Sequence, residues 1–235
     1  MRLLAALLLL ALPFLEAPAQ RRAPSRPIPY RMVRNRVSGA MMPRLLLPTP
    51  QARAVNARLD TLYSGFRCTA REMRTPGAEP FRHRARVTYA AGDVFSVDIV
   101  ASWFCGNVHP ENDANLSVTY DLRTGEMVPF SALFADYRRD GREIVRLLFP
   151  RQAALSMRPA PSQPDVENEC EGLIPLADLP MRVEGYSLSP RGLTAELRYP
   201  HAFQECGAKV TVPYARVRRF AAPRGILARV AGARR

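Results

Sequence analysis

The sequence predicts an α+β fold: an antiparallel sheet with a few helices packed on one face, stapled by two disulfides. Three observations carry this expectation. Val94 to Phe104 alternates apolar and polar side chains after the turn Ala91-Gly92-Asp93, which is the period of a hairpin strand. Val55, Leu59, Leu62 and Phe66 recur at spacings of four, three and four, which is the period of an amphipathic helix. Cys68, Cys105, Cys170 and Cys206 form an even set with no C-x-x-C pair among them.

The chain opens MRLLAALLLLALPFLEAPAQ. Arg2, the apolar run Leu3 to Leu15 and the small-residue signal Ala17-Pro18-Ala19 have the pattern of a secretory signal peptide over residues 1–19, cut near Ala19. The run is short for a bilayer span and no second long one follows, so no transmembrane anchor is expected. The mature protein is expected to be periplasmic or secreted.

Residues 20–44, rich in Arg and Pro and without helical period, predict a mobile arm whose end, from Met41, reaches the sheet. Residues 45–220 are expected to form a single α+β domain. Thr49-Pro50 has the form of an N-cap with proline in the first turn, and the helix it opens is expected to run from Pro50 to Phe66. Arg84 to Ala90 and Val94 to Phe104 predict a hairpin. In its second strand Phe95, Val97, Ile99, Ala101 and Trp103 share one face while Ser96, Asp98 and Ser102 share the other, the pattern of a half-buried strand. Leu116, Val118 and Tyr120 alternate again before the turn Arg123-Thr124-Gly125.

Helix is expected from Phe130 and over Glu143 to Leu148, packed on the same sheet face as the first helix. Residues 151–164, RQAALSMRPAPSQP, predict a linker. Arg182 to Leu188 and Leu193 to Tyr199 flank the turn Ser189-Pro190-Arg191-Gly192, and Lys209 to Val212 is one more short strand. Residues 221–235 predict a basic C-terminal tail.

The formal net charge of +13 suggests a polyanion partner, but its distribution argues otherwise. Seven arginines and no acid fall in residues 20–44, and seven more with no acid in 215–235. The body between them has a net charge of about −1. The charge is therefore expected to lie in solvated tails that can lean on anionic lipid or polymer. No specific nucleic-acid partner is expected, because basic residues are not interleaved with aromatics on a strand or helix face.

In an exported protein, four cysteines are expected as two disulfides. Three pairings are possible. Cys68 and Cys105 bracket the first hairpin and Cys170 and Cys206 the last, which favours those two pairs, because a hairpin returns the chain to its start. Each bridge would close roughly 35 residues and contribute ~3–4 kcal/mol through the entropy of the unfolded chain.

Three stretches resemble a known family when taken in order. "CGNVHPENDANLSVTYDLRTGEMVPFSALF" resembles the Gly-Ala-His loop, strand, Asp-x-x-x-Gly turn and Leu-Phe helix start of an extracytoplasmic domain. That domain forms the C-terminal region of lysozyme-sensing anti-sigma factors of the RsiV type and stands beside the catalytic module of PdaC-type peptidoglycan deacetylases. "YSLSPRGLTAELRYPHAFQECGAKVTVPYARV" is similar to the family's closing strand-turn-strand and Pro-Tyr segment. "MMPRLLLPTPQARAVNARLD" looks like the helix of its N-terminal subdomain. The resemblance covers Met41 to Val217. This chain departs from the family in Gly106-Asn107-Val108-His109, one residue longer, in having His201 and Phe203 for a closing aromatic pair, and in its cysteines. It implies a fold and a place in the cell envelope; lysozyme sensing is not carried over.

Chemistry is concentrated in Cys105 to Asp113. Cys105, His109, Glu111 and Asp113 offer metal-ligand types, but zinc needs three protein ligands converging from fixed elements, and Cys105 is expected to be bridged. Glu111 and Asp113 are too near in sequence to flank a glycosidic bond, and no G-x-S-x-G elbow occurs. The expectation is therefore a stapled recognition loop, with Gly106 and Pro110 shaping it and His109, Glu111 and Asp113 as polar contacts, without catalytic residue, metal or cofactor. The function expected is an exported noncatalytic cell-envelope binding module, with a cell-wall polymer or periplasmic protein as partner. A cell-wall polymer hydrolase and a polyanion binder acting through the basic tails are the alternatives.

Overall fold

The computed structural model describes residues 26–65, 79–104, 112–160, 169–199 and 201–232. A two-stranded ribbon comes first, β1 (Tyr30–Arg34) against β2 (Met41–Leu45). After α1 (Pro50–Ser64), four strands form an antiparallel sheet in sequence order: β3 (Glu79–Ala91), β4 (Val94–Phe104), β5 (Asn112–Asp121) and the short β6 (Glu126–Met127). Next come α2 (Tyr137–Leu148) and α3 (Pro150–Leu155). A second antiparallel sheet follows, β7 (Val183–Ser189), β8 (Gly192–Leu197) and β9 (Ala208–Val212). Two short helices, α4 (Tyr214–Val217) and α5 (Ile226–Gly232), end the described chain. The fold is α+β with antiparallel sheets, as the alternation predicts.

α1 begins where the sequence places it. Thr49 Oγ1 accepts a hydrogen bond from Ala52 N at 3.2 Å, satisfying a helix-start donor, and Pro50 needs no donor there. Its buried face is Ala52, Val55, Asn56, Leu59 and Tyr63. Leu62, predicted for that face, lies at its edge, and Phe66 is outside the described residues. The stripe turns toward Tyr63 because Asn56 is drawn inward to the ribbon. The Asn56 amide accepts from Leu45 N at 2.8 Å and donates to Leu45 O at 3.1 Å, closing the open edge of β2 as a neighbouring strand would.

The described residues form two hydrophobic cores. The first joins Val55, Leu59 and Tyr63 of α1 to Met42 and Leu45 of the ribbon and to Phe95, Val97 and Ile99 of β4. Each such side chain contributes about 1.5–3 kcal/mol by leaving water. The second joins Leu188, Leu193 and Leu197 of the last sheet to Ile144, Val145 and Leu148 of α2 and to Leu227 and Val230 of α5. The expectation that both long helices pack on one sheet face is thus corrected: α1 serves the first core and α2 the second. α2 also begins well before Glu143, at Tyr137, because Asp136 caps it by accepting from Arg139 N at 3.0 Å.

β4 is not half-buried at its start. Ser96, on the predicted solvent face, is fully buried. β7 lies across that face, and Leu188 N donates to Ser96 Oγ at 3.0 Å, while Ser96 Oγ and Thr119 Oγ1 share a hydrogen bond of 2.8 Å. Tyr186 Oη donates to Val128 O at 2.7 Å from the same strand. These bonds let a polar sheet face be buried without orphaned donors.

Three further segments differ from expectation. Residues 26–44 are ordered as the ribbon rather than a mobile arm: Ile28 and Ala40 are buried with Met42, and Ile28 N bonds Ala90 O on β3 at 3.1 Å. Residues 150–155, at the head of the expected linker, form α3 with Gln152 and Ala153 buried; Pro150 occupies the first turn, where its missing N–H costs nothing. Residues 221–232, expected as a basic tail, include α5. Its Arg229 bonds Asp93 Oδ1 at 3.2 Å and Asp121 Oδ2 at 2.9 Å, and Arg123 also bonds Asp121. One disulfide, Cys170–Cys206, joins the segment before β7 to the segment before β9. Cys68 and Cys105 lie outside the described residues.

Two of these contacts can be probed by substitution. Ser96→Ala leaves Leu188 N and Thr119 Oγ1 without their partner in a dry interface, and a loss of about 1–3 kcal/mol in urea unfolding is expected. Burial of Asp121 disfavours its charge, but hydrogen bonds from Arg123 and Arg229 outweigh that and hold its carboxyl below the usual range. The stability it contributes is therefore complete above about pH 4 and is lost as pH falls through the lower folded value. Asp121→Asn should be less stable at neutral pH and decline less steeply on acidification; parallel acid profiles for the two proteins would refute the assignment.

Candidate functional site

The recognition loop expected from the sequence falls mostly outside the described residues: Cys105, Gly106, His109, Pro110 and Glu111 all do. Asp113 is described as part of a strand rather than a loop, opposite Ser102 in the β4–β5 ladder. Cys170 and Cys206 are brought together with Glu169 within ligand distance of one another, but both sulfurs are spent in the disulfide. A thiolate metal site therefore cannot form there while the bond is intact.

The structure instead builds a polar groove where β7–β9 cross the polar face of the first sheet. β3 and β4 contribute Arg86, Thr88 and Asp98, and the second sheet contributes Ser187, Ser189, Arg191, Thr194, Lys209 and Thr211, around a volume of about 380 Å³. Its origin lies in local structure. Ser187, Thr194 and Thr211 stand in register across β7, β8 and β9 on the face opposite Leu193 and Val212, so alternation alone sends them to one side. A bulge in β3 between Val87 and Tyr89 leaves Thr88 as the extra residue, and its hydroxyl donates to Ser96 O at 3.2 Å.

The β7–β8 turn sets Arg191 at the groove's mouth. Gly192 has φ +151°, and a Cβ there would lie 1.9 Å from Val212 O, so only glycine allows β8 to start this close to β9. Ser189 Oγ accepts from Arg191 N at 3.1 Å and donates to Gly192 O at 3.2 Å, which fixes the turn. Tyr214 Oη donates to Ser189 O at 2.8 Å from α4 and so ties the turn to the second core.

The groove's chemistry is hydroxyl-rich and net cationic. Thr194 and Thr211 hydroxyls bond each other at 2.8 Å, and Ser117 donates to Asp98 Oδ1 at 2.8 Å. Lys209 is 3.6 Å from Glu196. Arg86 and Arg191, both exposed, have no ion pair among the described residues. Asp98 is the single carboxylate among the lining residues, so the groove itself does not supply the two flanking carboxylates of a glycosidase.

Two other cavities differ from the groove in their chemistry. One of about 500 Å³ is lined by Glu196, Arg198 and Lys209, which pair with one another in part. Arg198 Nε donates to Glu196 Oε1 at 2.8 Å and Lys209 Nζ lies 3.6 Å from Glu196 Oε2, while Glu196 Oε2 and Arg198 Nη2 have no hydrogen bond among the described residues. Another, about 380 Å³ and bordered by Met127, Phe130, Tyr137 and Tyr186, is largely apolar. Its tyrosines are anchored rather than free: Tyr137 Oη donates to Pro180 O at 2.9 Å, and burial raises both phenol pKa values.

None of the groove residues was singled out as functional by the sequence. The available signal was the polar half of each alternation, which reads equally well as a solvated face. That two such faces converge is a tertiary fact.

No family model matches the sequence, and no curated protein matches it. Among solved structures, the chain is similar to a DUF3298 family protein from Pseudomonas aeruginosa PAO1, with a TM-score of 0.46 and 16% identity over 85% of this chain and 96% of that one. It is also similar to a member of the DUF3298 family from Bacteroides fragilis, with a TM-score of 0.43 and 12% identity over 75% of this chain and 67% of that one. The structural neighbours are thus DUF3298 family proteins.

Proposed function

We propose that the protein is an exported, noncatalytic cell-envelope binding module whose groove takes a segment of a hydroxyl-rich, carboxylate-bearing polymer of the peptidoglycan class. The observation that carries this reading is the pair of arginines, Arg86 and Arg191, without ion pairs among the described residues, at the mouth of a groove floored by hydroxyls. Guanidinium groups match carboxylates two hydrogen bonds at a time. Serine and threonine hydroxyls both donate and accept, so they exchange readily with sugar hydroxyls.

Export is supported by the signal-like N-terminus and by the Cys170–Cys206 bridge, which forms in oxidising compartments. No described helix is long and apolar enough to cross a membrane. The resemblance of Met41 to Val217 to a domain that accompanies peptidoglycan deacetylases points to the same polymer.

The test is cosedimentation of the mature protein with purified peptidoglycan sacculi. Arg86→Gln/Arg191→Gln should weaken binding at least tenfold, since a hydrogen bond to a charged group is worth ~1.5–3 kcal/mol. Unchanged binding would remove the groove from the interaction. Release of soluble fragments from the sacculi by the wild type would favour the hydrolase alternative instead.

A further inference from the structure

The ribbon carries a second surface, unlike the groove in its chemistry. Residues 26–47 hold five arginines and no acid. Four of them, Arg31, Arg34, Arg36 and Arg44, line one open cavity of about 600 Å³ with Val33, Val37 and the single carboxylate Asp60. Arg31 lies directly opposite Arg44 in the β1–β2 ladder. Like charges in that position repel. Arg44 has Asp60 at 3.9 Å with both side chains largely exposed; Arg31 and Arg36 have no ion pair among the described residues.

Exposed apolar side chains gather on the same segment. Of the nine large hydrophobic residues exposed among the described residues, five lie between positions 30 and 46: Tyr30, Met32, Val37, Met41 and Leu46. The register puts Tyr30, Met32 and Met41 on the ribbon face opposite Arg31 and Arg44, so apolar and basic side chains flank the edge of β1, which among the described residues pairs only with β2. An edge that exposes both kinds of side chain fits an interaction site. The ribbon is also held rigid at its tip. Asn35 Oδ1 accepts from Val37 N at 2.9 Å and Ser38 N at 3.0 Å, while its Nδ2 donates to Asp60 O at 3.3 Å on α1. The arginines are therefore presented in place before any partner arrives, which lowers the ordering cost of binding.

Arginines alone would suit any polyanion. Arginines mixed with exposed methionine, valine and leucine suit a surface that is anionic outside and hydrocarbon beneath. Single-stranded nucleic acid would want stacked aromatic platforms, and the segment holds one tyrosine. We propose that the free edge of β1 and its tip seat the protein on an anionic phospholipid bilayer, with Arg31, Arg34 and Arg36 on lipid phosphates and Met32 and Val37 in the headgroup boundary. This reading shares the assumption of export with the groove reading and is otherwise independent of it.

The experiment is vesicle sedimentation of the mature protein. Phosphatidylcholine vesicles containing phosphatidylglycerol should bind it, and pure phosphatidylcholine vesicles should bind it weakly, with added salt reducing the difference. Arg31→Gln/Arg36→Gln should lower partitioning by roughly fivefold per arginine. Met32→Ser/Val37→Ser should also lower it while leaving the salt dependence intact, and Arg86→Gln, in the groove, should leave it unchanged. All substituted positions are exposed, and thermal unfolding checks that the fold is retained. Equal binding to both vesicle types overturns the proposal. So does full retention by Met32→Ser/Val37→Ser with displacement by inorganic phosphate, which marks a soluble-anion site. Concentration-dependent dimerisation abolished by the same apolar variant would also overturn it, because the surface would then belong to a second copy.

Discussion

The hydroxyl pair of Ser96 and Thr119 is the contact on which the arrangement of the two sheets depends. The residues face each other across β4 and β5, and their side chains lie 2.8 Å apart in the dry space beneath β7. A hydroxyl there can donate once and accept twice. Ser96 uses this capacity to receive Leu188 N, so the second sheet is held by its backbone rather than by side-chain shape alone. An apolar residue at position 96 would fit the space but leave a backbone donor of β7 unpaired, which is the costlier fault. The crossing of β7 also divides the polar face of the first sheet. The hydroxyl-rich groove with Arg86 and Asp98 opens on the β3 side, and the aromatic cavity with Met127 and Tyr137 on the β6 side.

Arginine is the commonest charged residue of this chain, and the structure gives its members unlike roles. Arg229 and Arg123 converge on Asp93 and Asp121 at the turn ends of the first sheet, and they fasten the last described helix to it. Arg198 is absorbed by Glu196 and Glu184 on the second sheet. Arg86 and Arg191 stand at the groove without such partners among the described residues, and Arg31, Arg34, Arg36 and Arg44 share the ribbon. Of these, the last two groups are the better placed for an external anion, because a guanidinium already paired in a half-buried network gains little by exchanging its carboxylate. Net charge therefore says little about binding here; the distribution of acids does.

Much of the local structure was legible in the sequence. Thr49-Pro50 marked the start of α1, Ala91-Gly92-Asp93 and Ser189-Pro190-Arg191-Gly192 marked two hairpin turns, and Lys209 to Val212 marked β9. The Cys170–Cys206 bridge was legible for a related reason: a hairpin brings its flanks together, so cysteines on either side can meet. These features depend on interactions within a few residues or on the return of one hairpin. Where longer-range packing intervened, sequence reading failed. Arg-rich residues 26–44 and 221–232 look solvated by composition, yet Ile28, Met42, Leu227 and Val230 are core residues.

The start of α1, the two hairpins, their order and the antiparallel character of the sheets were therefore legible in the sequence alone, through alternation, helix period, caps and turns, each a local property, whereas β1, α3 and α5 were not. The division into two cores, the burial of Ser96, the docking of α5 through Arg229 and the convergence of two polar strand faces into one groove were decided by the tertiary structure. The physical reason is that a strand's polar face reads the same whether water or another sheet covers it. Which one does depends on whether distant donors such as Leu188 N find acceptors there, and no local pattern records that meeting.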